Sequence, residues 1–311
     1  MSEREIVCED LSAALDDLRS DGFRLDVIYP ADDPHTALLS KGEESVRLTS
    51  QPSALPPPEA LPPFAPEFVI TRAGAAAAKG RAGMLYRDLI PSRLGGRYIA
   101  SHISIPQGGP VGDWVHFHRI AFQMIYVRRG WVRVVYQDQG EPFIMREGDF
   151  VLQPPEIRHR VLESSPGFEV VEIGAPAVHA TFAEDVLELP NGQNEGRIYG
   201  GQYFLHHIAA QAPWTPFGGG EAQESAMIRA TTGLAEVRTI RPIDGLRIDF
   251  PAHDGELVFG FVLDGSATVE FRGSHEVTAE DAFAIPPGRS WRVNGASPDF
   301  RLLHVTSARL D

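Results

Sequence analysis

Cysteine is all but missing from this chain. Cys8 is the only one in 311 residues, so no intramolecular disulfide can form, and a reducing compartment, the cytoplasm, is the expected home. Positive charge is also scarce: 28 Lys and Arg face 42 Asp and Glu, a formal net charge of −14. That balance argues against nucleic acid or an anionic membrane as a partner. Met1 to Glu5 has neither the basic nor the apolar region of a secretory leader, and no run approaches the ~20 apolar residues of a spanning helix. No helix-turn-helix pattern is visible. What is present is a 43% hydrophobic chain, long enough for two packed domains.

The densest chemical signal is His116-Phe117-His118, followed by Gln123 and, behind Gly148-Asp149 and Pro154-Pro155, by His159. Side chains at i and i+2 share one face of a strand, so both imidazoles of the pair can reach a single ion. Val115 to His118, Phe122 to Val127 and Trp131 to Tyr136 are rich in β-branched and aromatic residues. Arg129-Gly130 and Gln139-Gly140 supply hairpin breaks.

This spacing resembles the cupin family, whose first motif runs Gly-x5-His-x-His-x3,4-Glu-x6-Gly and whose second runs Gly-x5-Pro-x-Gly-x2-His-x3-Asn. Pro110 stands at the opening Gly position of the first motif, His116, His118 and Gly130 are in place, and Gln123 replaces the usual Glu. In the second, Gly148, Pro154 and His159 match, with Glu156 at a Gly position and Glu163 at the Asn. The resemblance implies a jelly-roll barrel that holds one divalent ion, zinc, nickel, manganese or ferrous iron, on His116, His118, Gln123 and His159.

The pattern then recurs. Val262-Leu263-Asp264-Gly265 parallels Val127-Arg128-Arg129-Gly130, and Asp281 to Gly288 parallels Asp149 to Glu156, at separations of 132 to 135 residues. Near-constant offsets indicate duplication, so a bicupin is expected, with a metal-binding barrel over 68–189 and a degenerate one over 190–311. Counting through the second copy places Pro251, His253, Val258 and Trp291 at the ligand positions, which leaves one imidazole and no metal site. Trp291 is expected to fill the space an ion would take.

Residues 1–50 read as a small α+β module of order βαβββ. Around Gly22-Phe23-Arg24-Leu25-Asp26 it resembles a single module of the glyoxalase and bleomycin-resistance (vicinal oxygen chelate) family. Residues 51–67 form a proline-rich linker. The fold class expected is therefore mainly β, two tandem jelly-roll barrels behind a small α+β module. Unpaired edge strands suggest a homodimer.

Three neutral imidazoles and a carboxamide leave the ion's charge uncompensated, which favours Lewis-acid work on a small carbonyl or hydroxy-acid substrate, of lyase, isomerase or cyclase type. A ferrous dioxygenase acting on a diketone or aromatic acid, and a non-enzymatic small-molecule sensor, are the alternatives. His102 and Glu163 are candidate catalytic bases, and Tyr126, Arg133 and Tyr136 candidate substrate-pocket residues.

Overall fold

The computed structural model describes residues 3–52, 60–80, 83–243 and 247–310, with only the backbone of Lys79. The centre of the proline-rich linker lies outside the described residues. The chain is mainly β, and its four large sheets have ten, seven, seven and four strands.

Strand Phe122–Arg129 shows how these sheets are layered. Its even-numbered Phe122, Met124 and Tyr126 enter a core built with Leu257, Phe259, Phe261 and Leu263 of the second copy. Its odd-numbered Gln123 and Ile125 line a cavity on the opposite face. Both faces are occupied, which is why the strand is apolar almost throughout. The two seven-stranded sheets thus pack back to back. The ten-stranded sheet closes over the first to form the cavity, and the four-stranded sheet closes over the second to form a solid core.

The duplicated turns obey one steric rule. Gly130 and Gly265 have φ of +77° and +72°, and a Cβ at either would lie 2.2 or 2.4 Å from the hydroxyl of Ser165 or Ser297. Glycine is required there twice over. Glu156, at the position where the cupin motif carries glycine, adopts φ of +62° and keeps the turn.

Two strands cross between the copies. Val69–Thr71 pairs antiparallel with Ala282–Ala284 of the second copy, while Leu205–His207 pairs with Phe150–Leu152 of the first. His207 stacks on Phe150 at 4.3 Å and His206 on Phe143 at 4.5 Å. With boundaries drawn at 68 and 190, each repeat lends one strand to the other repeat's sheet.

The N-terminal segment is less separate than its sequence suggests. Helix Leu11–Ser20 starts where Asp10 Oδ1 accepts the Ala13 N–H at 3.0 Å, and packs Leu11 and Leu18 into a core with Leu25, Leu39 and Leu48. Strand Arg24–Tyr29 then pairs with Thr181–Ala183, Ile28 opposite Thr181, and Thr181–Ala183 pairs with His116–His118. The module's sheet is continuous with the sheet that carries the histidine pair.

In the second copy Phe250 lies opposite Trp291, as His116 lies opposite His159 in the first. The position equivalent to His116 is therefore Phe250, one residue before the Pro251 reached by counting, because the connection to Gly265 is one residue longer. Phe250 and Trp291 stack at 3.8 Å and 5°, over a buried His304 whose ring is 5.0 Å from Phe250. Aromatic rings occupy the ground that imidazoles hold in the first copy.

Burial, reinforced by Arg238 and His253, lowers the His304 pKa from 6.5 to about 3. The unfolded chain therefore takes up a proton that the folded one refuses. The resulting stability is complete above pH ~6.5 and is lost as pH falls toward ~3, by about 2 kcal/mol between pH 7 and pH 5. The urea midpoint of His304→Phe should accordingly fall less over that interval than the wild-type midpoint. Equal falls would clear His304 of the effect.

Candidate metal centre

His116, His118 and His159 are buried, and each offers a ring nitrogen within 4.8 Å of the others. They form the one such group among the described residues. Their orientation is set by backbone carbonyls. His116 Nδ1 lies 2.7 Å from the Trp114 oxygen, His159 Nδ1 3.0 Å from that of Ile157 and His118 Nδ1 3.1 Å from that of Ala180. A carbonyl only accepts, so each Nδ1 carries the proton, and Nε2 is left as the coordinating nitrogen. Three rings held in the same tautomer suit a cation. Asp113 adds a carboxyl oxygen 3.5 Å from His116 Nδ1 and accepts the Val161 N–H at 2.9 Å.

Gln123 lines the same cavity and donates from Nε2 to Glu172 Oε1 at 2.8 Å. With its amine end committed, the amide presents Oε1, the end that can ligate a metal. Glu172 and Asp113 change the electrostatics inferred from sequence. The four candidate ligands are neutral, yet two acidic side chains touch them, so positive charge here would be balanced from the next layer out. Glu172 was missed in the sequence, although its parity with Phe168 and Val170 along Phe168–Ala175 marks an acidic residue on an inward face.

Tyr136 also lines the cavity. Its hydroxyl donates to Gln153 Oε1 at 2.5 Å, its ring stacks on His159 at 5.5 Å, and burial pushes its phenol far above the ordinary range. It stays a neutral hydrogen-bond donor. Beside His118 stand His179, its ring 5.2 Å away, and Thr181, directly opposite on the neighbouring strand; Asp32 of the N-terminal module also lines the cavity. His179 Nδ1 donates to the Pro176 carbonyl at 3.1 Å, and burial lowers its pKa. Its Nε2 and the Thr181 hydroxyl have no hydrogen-bond partner among the described residues.

Four residues singled out from the sequence do not line the cavity. On strand Ile99–Ile105 the odd-numbered residues face inward, so His102 faces the second copy, between Arg87 at 3.3 Å and Glu169 at 3.2 Å. The contact with His102 holds the Glu169 carboxyl below its usual range. Arg133 and Glu163 pair with each other across neighbouring strands at 3.2 Å, with side chains 46% and 39% exposed. Tyr126 is buried between the copies, where desolvation pushes its phenol up to about 12.

The cavity measures about 110 Å³, smaller than the roughly 150 Å³ hole that admits benzene. It suits a ligand of a few heavy atoms. No described helix is long and apolar enough to cross a membrane.

In fold the chain is similar to a deletion mutant of Bacillus subtilis oxalate decarboxylase, at 13% identity over 82% of this chain and 81% of that one, with a TM-score of 0.59. It is likewise similar to Lactobacillus farciminis oxalate decarboxylase in a formate complex, at 12% identity over 78% and 86% of the two chains, with a TM-score of 0.57. No family model matches the chain, and no curated protein matches it in sequence. The likeness carries the cupin fold; the chemistry rests on the residues of the site.

Proposed function

We propose that this chain is a metal-dependent bicupin enzyme in which His116, His118, His159 and Gln123 hold one divalent ion, zinc, nickel, manganese or ferrous iron. The observation that carries this reading is three buried imidazoles with ligand nitrogens within 4.8 Å of one another, each with its Nδ1 hydrogen-bonded to a backbone carbonyl. When bound, the ion supplies Lewis acidity to a carbonyl or hydroxyl oxygen of a small substrate. The reaction class is of the lyase or isomerase type.

The chain's own groups divide the remaining work. Glu172 takes the base role first sought in His102 and Glu163, because it lines the cavity and is anchored by the Gln123 amide. It receives a proton from the carbon or hydroxyl next to the polarised oxygen. Tyr136, kept neutral by burial, orients Gln153 and walls the histidines on one side. The N-terminal module contributes Asp32 to the rim, and its single histidine, His35, hydrogen-bonds Thr36 at 3.1 Å outside the cavity. The module acts as a wall.

Elemental analysis of the purified chain should find about one divalent transition metal per chain. Less than a tenth, even after reconstitution, would sink the reading. Glu172→Gln should keep that metal and slow deuterium exchange at the carbon beside the carbonyl of α-ketovalerate by about 10²–10⁴-fold. An unchanged exchange rate would remove Glu172 from the role.

A further inference from the structure

We infer that the substrate carries a single bidentate oxygen head of no more than one negative charge and a short apolar tail, a class that excludes small dicarboxylates such as oxalate. The inference rests on the metal reading and deepens it. Strand register sorts the cavity into layers. From His159 the next inward residue is Val161; from Tyr136 they are Val134 and Val132. From Gln123 the next is Ile125, and from Glu172 they are Val170 and Phe168. The inward side chains beyond these positions are apolar on all four strands, with Glu172 itself standing opposite Ile125, one step in from Gln123. Two residues advance a strand by roughly 6.6–6.8 Å, so the apolar lining forms a pit one to two steps long beyond the histidines, within an open volume of about 110 Å³.

The pit contains open space as well as packed atoms. Ile125 and Val161 lie on the inner faces of their sheets and yet are only partly buried, because they border the cavity. A polar ligand placed among these side chains would lose hydration with nothing in return, whereas each methylene would gain from burial.

Charge points the same way. Among the described residues no Lys or Arg lines the cavity, while Glu172 and Asp32 do. A dianion would have only the ion to neutralise it, with the Glu172 carboxylate nearby and Asp32 already paired with Arg93 at 2.7 Å. A monoanionic head, such as that of an α-keto acid, leaves one charge fewer to balance and places its tail in the pit.

Calorimetric titration of the purified, metal-assayed full chain with pyruvate, α-ketobutyrate, α-ketovalerate and oxalate tests this. Affinity should rise about fourfold per added methylene, and oxalate should bind at least ten times more weakly than α-ketovalerate. Val161→Phe should abolish the gain with chain length, and Ile125→Ala should extend it to α-ketocaproate, both with metal content unchanged. Should either variant fail to fold, the wild-type series still decides. A flat series, or oxalate binding tightest, on protein holding one metal per chain overturns the inference and leaves the metal centre standing. Protein that takes up no metal overturns both.

Discussion

His159→Ala should lose the metal. Four-ligand zinc sites in small domains bind with roughly 10–16 kcal/mol, so one ligand in four is worth about 3 kcal/mol, a hundredfold or more in affinity. Metal per chain should drop from about one to below a tenth after dialysis against a weak chelator, and exchange activity should fall with it. The loss should not extend to folding, since the cavity lies beside rather than within the core between the copies. His206→Ala is the control: that ring stacks on Phe143 and is outside the triad. Full metal retention by His159→Ala, or equal loss by His206→Ala, would contradict the assignment.

Arg97→Ala should destabilise the chain by about 3–5 kcal/mol. Arg97 and Glu256 form a buried bidentate pair, Nε to Oε2 at 2.8 Å and Nη2 to Oε1 at 2.9 Å, with side chains only 10% and 8% exposed. The same guanidinium donates to the Pro62 carbonyl at 3.1 Å and to that of Leu310. One side chain thereby ties the linker, the second copy and the C-terminal segment to the first. Truncating it strands the Glu256 carboxylate and two carbonyls in a dry setting, where the desolvation cost is no longer offset. The midpoint of urea unfolding measures the effect. Arg97→Met with Glu256→Leu should recover part of the loss by removing the unpaired charge. A shift below about 1 kcal/mol for Arg97→Ala would show that water reaches the pair.

The histidine triad was legible because it depends on local rules. Period-2 alternation places His116 and His118 on one face, and the Pro154-Pro155 turn leads into His159, directly opposite His116. The repeated turn was legible because Gly130 and Gly265 have no substitute at their positions. Facing was not. Tyr98 to Ile105 is largely buried on both faces, since one borders the cavity and the other packs on the second copy, so its composition gives no sign of which way His102 points. A bulge that leaves Leu162 unpaired opposite the Arg133–Val134 step breaks the parity that would carry Glu163 to the face of His159, while Arg133 follows plain alternation away from Tyr136. Glu172 was hidden because an acidic residue in a strand ordinarily signals solvent. The pairing of Val69–Thr71 with the second copy left no trace, since a strand's sequence specifies its faces far more strongly than its neighbour.

That pairing also sets a timetable for synthesis. Val69–Thr71 emerges from the ribosome about two hundred residues before its partner Ala282–Ala284, a wait of roughly 10–40 s at 5–20 residues per second. Until Leu205–His207 arrives, Phe150–Leu152 is likewise an open edge. The nascent chain therefore passes through a stage with one sheet unfinished and one strand unclaimed, when a second ribosome on the same message could supply either partner. A fragment ending at residue 189 would remain at that stage permanently.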